Sequence, residues 1–119
     1  MALAEGAPLI NLANGAVLSP RVQIVSGLRT AWGLRFAWSP PKDAFVFLLD
    51  TPRAVTIDMW WVFVPLDIIA VDADGTVVGL RGNLRPFRVW RTPPCSVFIE
   101  AAAGTIARTG TRVGDRIGQ

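Results

Sequence analysis

The chain reads as one small all-β domain, an antiparallel β-sandwich or barrel of jelly-roll type with one or two short helical turns. Three observations predict it: apolar runs of strand length, turn chemistry between nearly all of them, and no sustained helical period. With 119 residues, 51% of them hydrophobic and 18% charged, the composition is that of a packed globule that needs no disulfide staple. So few charges on so apolar a chain also point to a homo-oligomer that hides surface against another copy.

Residues 1–20 mix Gly, Asn, Pro and small apolar residues without a period, and are expected to form a partly ordered lead-in. The single β domain is expected to cover residues 21–119. Val22–Val25 makes its first strand. Trp32, Leu34, Phe36 and Trp38 then alternate, as the buried face of a strand does. Pro40–Asp43 is a turn, because two prolines cannot continue a ladder, and Ala44–Leu49 is an apolar run short enough for a strand covered on both faces. Asp50–Arg53 turns the chain again, Val55–Phe63 is the next strand, and Pro65 breaks it at an edge or bulge.

Leu66–Val71 is a further strand, and Asp74–Gly75 joins it to Thr76–Leu80 as the strongest hairpin signal in the chain. Gly82, Asn83 and Pro86 loosen the next segment, Thr92–Pro94 turns it, and Cys95–Glu100 is the last strand. Ala101–Arg108 has the only helical character, kept short by Gly104.

Composition excludes much chemistry. Histidine is absent, which removes the commonest general base and metal ligand and every Ser-His or Cys-His dyad. Cys95 is the only cysteine, so no disulfide, redox pair or thiolate zinc site is expected within the chain, and it reads as a small buried hydrophobe. No cofactor or metal is expected. The start lacks a basic n-region and carries Glu5, and the apolar run Met59–Val71 is short and interrupted by Pro65 and Asp67. A cytoplasmic protein with no membrane association is therefore expected.

The segment from Met59 through Pro65-Leu66-Asp67, the apolar Ile68–Val71, then Asp72 and the Gly75 turn resembles the central signature of the domain of unknown function family 192. Trp32-Gly33-Leu34 and Phe45–Phe47 upstream resemble that family, as do Asn83 with Pro86, Glu100, Gly104, Gly110 and Gly114-Asp115 downstream. The resemblance covers most of the chain beyond Val22. It implies a compact jelly-roll or barrel domain, and no reaction, cofactor or substrate. Many members carry an export signal, and many place Lys-Asn-Thr where this chain has Trp60-Trp61-Val62. The Arg that often follows the Gly-Leu element is Ala37 here, with Arg35 two residues earlier, so the polar ligand of typical members is not implied for this chain.

Asp67 is unusual inside an apolar strand and must be paired or hydrogen-bonded; Arg35 or Arg53 is the expected partner. Asp67 and Asp72, five apart on a strand, point to opposite faces and are not expected to share a site. Asp72–Gly75 lacks the further oxygen ligands of a calcium loop and reads as a turn. Of the adjacent indoles, one belongs in the core and the other offers a rigid aromatic anchor. The leading expectation is thus a non-enzymatic domain binding a small ligand or protein at Trp60, Trp61, Phe63 and Pro65, with Asp67, Arg35 and Arg53 at the rim.

The alternative uses basic residues, eleven of which are Arg in a chain of net charge +3. Arg81, Arg85, Arg88 and Arg91, interleaved with Phe87 and Trp90, resemble what single-stranded nucleic acid needs, with Arg85, Arg88, Arg91 and Trp90 as the expected contacts. Strand geometry would nevertheless send Arg85 and Arg91 one way and Arg88 the other. An enzyme centred on Asp67 with Arg35 comes third, because base and nucleophile are missing.

Overall fold

A computed structural model describes residues 1–26, 34–35 and 37–119. The strands are β1 (Leu9–Asn11), β2 (Val17–Ser19), β3 (Val22–Val25), β4 (Ala44–Arg53), β5 (Thr56–Asp58), β6 (Leu66–Val71), β7 (Val77–Leu84), β8 (Val89–Arg91), β9 (Cys95–Ala102) and β10 (Ile117–Gly118). A short helix, α1 (Thr105–Thr109), precedes β10.

A five-stranded sheet in the order β3-β4-β9-β6-β7 forms the middle layer. Alternation along its strands sends side chains to two faces, and each face buries a separate apolar cluster. Ala44, Val46, Ile69, Val71, Val97 and Ile99 pack with Leu9, Leu18 and Ile117 of a small sheet ordered β10-β1-β2, and with Ile106 of α1. The other face presents Phe47, Ile68 and Phe98 to Ile57, Met59, Val62 and Val64, and is covered by the two-stranded ribbon β5-β8. Phe47 and Phe98, opposite one another across β4 and β9, stack with centroids 4.6 Å apart.

The all-β expectation holds, and three layers realise it without a closed barrel. Among the described residues the ladders are antiparallel except one: β3 runs parallel to β4, Val22 opposite Ala44. Leu66–Val71 is a strand at the expected bounds, buried throughout because β7 and β9 flank it and both faces are covered. The hairpin to β7 turns where Asp-Gly predicts. Asp72 Oδ1 accepts from the N–H groups of Asp74 and Thr76, both at 2.9 Å, and Gly75 takes a left-handed φ of 86°.

Several boundaries differ. Asp50–Arg53 continues β4 instead of turning, since Arg53 still pairs with Cys95 across an irregular register. The expected strand Val55–Phe63 shrinks to β5 and then gives way to a turn at Trp60-Trp61. β8 forms where turn residues pointed to loop, held by its pairing with β5. Of the alternating aromatic stretch, Leu34 and Arg35 form a turn, whereas Trp32 and Phe36 lie outside the described residues. Residues 1–20 contribute β1 and β2, with Leu9, Asn11 and Leu18 buried. No helix among the described residues is long and apolar enough to cross a membrane.

Candidate functional site

The Trp60-Trp61 turn is built from its flanks inwards. Met59 is fully buried and sends its carbonyl to two donors, Val62 N–H at 3.2 Å and Phe87 N–H at 2.9 Å, while its own N–H donates to the Arg88 carbonyl at 2.8 Å. These bonds tie the turn to the neighbouring turn at Arg85–Arg88. Asp58 Oδ1 accepts from Trp60 N–H at 3.2 Å, so the carboxylate starts the turn as well as ending β5. Arg35 grips Asp58 with both guanidinium nitrogens, at 2.7 and 3.0 Å, and donates from Nη1 to the Trp60 carbonyl at 2.5 Å. This bidentate contact raises the Arg35 pKa and holds the Asp58 carboxyl below its usual range.

The turn displays rings. Trp60 and Phe87, 48% and 44% exposed, meet with centroids 6.0 Å apart at 57°. From Phe87 the aromatic surface continues edge-to-face to Trp61 at 5.9 Å and Phe63 at 6.0 Å, and Phe63 stacks on the exposed Trp38 at 4.3 Å. The described non-glycine residues with left-handed backbone are Trp61, Asn83 and Phe87, with φ of 62°, 52° and 60°. Trp61 and Phe87 belong to this surface, and Asn83 to the cleft beside it. Bulky residues avoid that conformation, and such strain concentrates where side chains are held for a purpose.

Beside the rings lies a cleft of about 710 Å³, lined by Trp60, Phe87 and Val89, the backbone bend at Gly82-Asn83, and Arg81, Arg85 and Arg88. No acidic residue is among the described residues that line it. Among the described residues, none of the three guanidiniums has an ion-pair or hydrogen-bond partner. Arg85 and Arg88 share the cleft because Pro86-Phe87 is a turn, closed by Arg88 N–H to the Arg85 carbonyl at 3.3 Å. A strand would have separated them, which corrects the division expected from strand period.

Trp90 and Arg91 stand apart from the cleft lining. Trp90 packs on the core cluster under the ribbon, and Arg91 donates to Thr56 Oγ1 at 3.0 Å.

Asp67 does not join the rim. It points to the face opposite Ile68 and Phe98, and its two oxygens accept from Asn83 N–H and Ile106 N–H, each at 2.8 Å. The expected pairing with Arg35 or Arg53 is therefore replaced by backbone donors: Asp67 ties the β7 bend to the first turn of α1. Arg35 is engaged by Asp58 on the other side of the sheet. Arg53 sits beside Cys95, at the far end of β9 from Ala101, which pairs with Asp67. Pro65 is half-buried at the entrance to β6. Cys95 is buried, its thiol 3.7 Å from the Arg53 carbonyl.

Two residues of this region carry roles that sequence reading left unassigned. Asp58 was hidden at the end of a short strand. Glu100 is buried on β9 between Phe45 and Ile68, on the same face as Phe98, and no hydrogen bond reaches its carboxyl among the described residues. Burial pushes its pKa up to about 7; the charge of Arg35 opposes that shift and Asp58 adds to it. The signal was present, since a carboxylate ending an apolar run is as anomalous as Asp67.

Two solved structures resemble the whole domain. A protein of unknown function from Novosphingobium aromaticivorans superposes with a TM-score of 0.79 at 25% identity, over 99% of this chain and 91% of that one. A Sinorhizobium meliloti protein described as a "putative transcription regulator" gives 0.79 at 25% identity, over 98% and 96%. No curated relative matches. The sequence profile of DUF192, described as "Uncharacterized ACR", matches residues 18–119, from β2 through the Met59 turn, Asp67, Glu100 and β10, and the chain belongs to that family.

Proposed function

We propose that the domain is a non-enzymatic binding module whose ligand combines a flat ring with anionic groups and sits in the cleft between β7 and the Arg85–Arg88 turn. One observation carries this reading: Arg81, Arg85 and Arg88, without partners among the described residues, line the same cleft as the half-exposed rings of Trp60 and Phe87. A guanidinium takes a planar anion in a bidentate way and stacks on rings, and the aromatic walls supply apolar contact with little conformational freedom to lose.

Anilinonaphthalene sulfonate has both features and serves as the probe. Its fluorescence should rise on titration into the native protein, and the Arg85→Gln/Arg88→Gln double variant should weaken binding at least about tenfold, as loss of charge-assisted contacts of about 1.5–3 kcal/mol each requires. A dye affinity indifferent to both arginines and to Phe87→Ala sinks the reading.

Trp38 favours a second reading: it is 77% exposed at the far end of the ring surface from the cleft. There the surface would close against a second copy of the chain. A native mass equal to one chain at high concentration rules this out; a dimer dissociated by Trp38→Ala supports it.

A further inference from the structure

The charge and ring pattern of the cleft narrows the ligand class, granted the binding reading above. Three separate guanidiniums call for several anionic groups spread along the ligand; a monoanion such as the dye engages them only in part. Arg81 lies on β7, and Arg85 and Arg88 flank the turn beyond it, so the positive charge runs along the cleft. Trp60 and Phe87 meet at 57° instead of stacking, which leaves each a face for a separate planar group. Beyond Phe87 the aromatic surface goes on to Phe63, 6.0 Å away, outside the cleft lining. A ligand that repeats an anion and a ring along its length matches both features. In a duplex the ring faces are already stacked on neighbours, so only an unpaired strand offers them.

We propose that the cleft binds single-stranded nucleic acid with little sequence preference, its phosphates on Arg81, Arg85 and Arg88 and its bases against Trp60 and Phe87. Every base has a face to stack, so discrimination among bases is weak.

The test is binding of a labelled oligothymidylate of about 12 nucleotides to the full chain by fluorescence anisotropy, across a salt series. Three phosphate contacts predict a slope of log K against log salt of about −2, and Arg88→Gln should flatten it by about 0.7. Trp60→Ala should weaken binding roughly tenfold and leave the slope unchanged, because stacking releases no counterions. A duplex of the same length should bind more weakly.

A flat salt dependence, equal affinity for duplex, or thymidine monophosphate binding as tightly as the oligonucleotide each overturns the proposal. If the naphthalene dye binds in an arginine-dependent way while the oligonucleotide does not, the ligand class is wrong and the binding reading stands. If neither binds to a variant-sensitive cleft, both fail. Circular dichroism of Arg88→Gln and Trp60→Ala, each an exposed side chain, checks that the fold is intact.

Discussion

The two faces of the central sheet each bury one carboxylate, and they treat it in opposite ways. Asp67, 1% exposed, hands both oxygens to backbone donors and locks β7 to α1. Glu100, 8% exposed on the other face, has no hydrogen-bond donor among the described residues and lies in the field of the Arg35–Asp58 pair. Burial alone therefore does not decide how a carboxyl is accommodated; the set of donors around it does. The face of Asp67 is capped by the small sheet and helix, and the face of Glu100 carries the Trp60 and Arg85–Arg88 turns, the exposed rings and the arginine cleft. The architecture separates holding the fold from presenting a surface.

The largest effect that would break this comparison is on the satisfied side. Asp67→Ala removes the acceptor of the part-buried Asn83 and Ile106 N–H groups, and should cost about 3 kcal/mol of stability in urea unfolding at neutral pH. A loss under about 1 kcal/mol would mean that water or local movement replaces the carboxylate.

Glu100 predicts the opposite sign. Its folded pKa of about 7 stands above the ordinary 4.5, so the native state holds a proton that the unfolded chain has released. This contribution to stability is fully present below about pH 4.5, declines as pH rises through 7, and then amounts to a penalty on the order of 3 kcal/mol. Glu100→Gln should remove that slope and stabilise the protein at pH 8 while changing little at pH 4.5. If the variant keeps the parent's loss of stability between those values, Glu100 is not its source.

The smallest effect belongs to Asp58. Its depressed pKa contributes stability above the ordinary carboxylate range that is lost as pH falls through the folded value. Asp58→Asn should cost about 1 kcal/mol, since the pair is partly exposed. Because Arg35 and Asp58 together hold the Trp60 turn, the variant should also weaken dye binding at the cleft by several fold. Weakened stability with unchanged dye affinity would separate the clamp from the surface it presents.

Much of this was legible along the chain. The all-β class, the bounds of β6 and the Asp-Gly hairpin follow from pleat period and turn chemistry, which act within a few residues and so are written locally. The anomaly of a carboxylate inside an apolar strand was also legible at Asp67, although its partners were not, because Asn83 and Ile106 reach it through the tertiary fold.

Strand period was the wrong ruler at Trp60-Trp61 and at Arg85–Arg88. Both segments are turns, fixed by hydrogen bonds exchanged between Met59 and the Phe87-Arg88 backbone. By itself the sequence determined the fold class, the family and the residue types available for binding. Tertiary structure alone decided that Trp60 shares a cleft with Arg85 and Arg88, that Asp67 faces away from it, and that Glu100 is buried without a donor among the described residues. These depend on pairings between distant segments, such as β5 with β8 and β6 with β9, whose register no local pattern encodes.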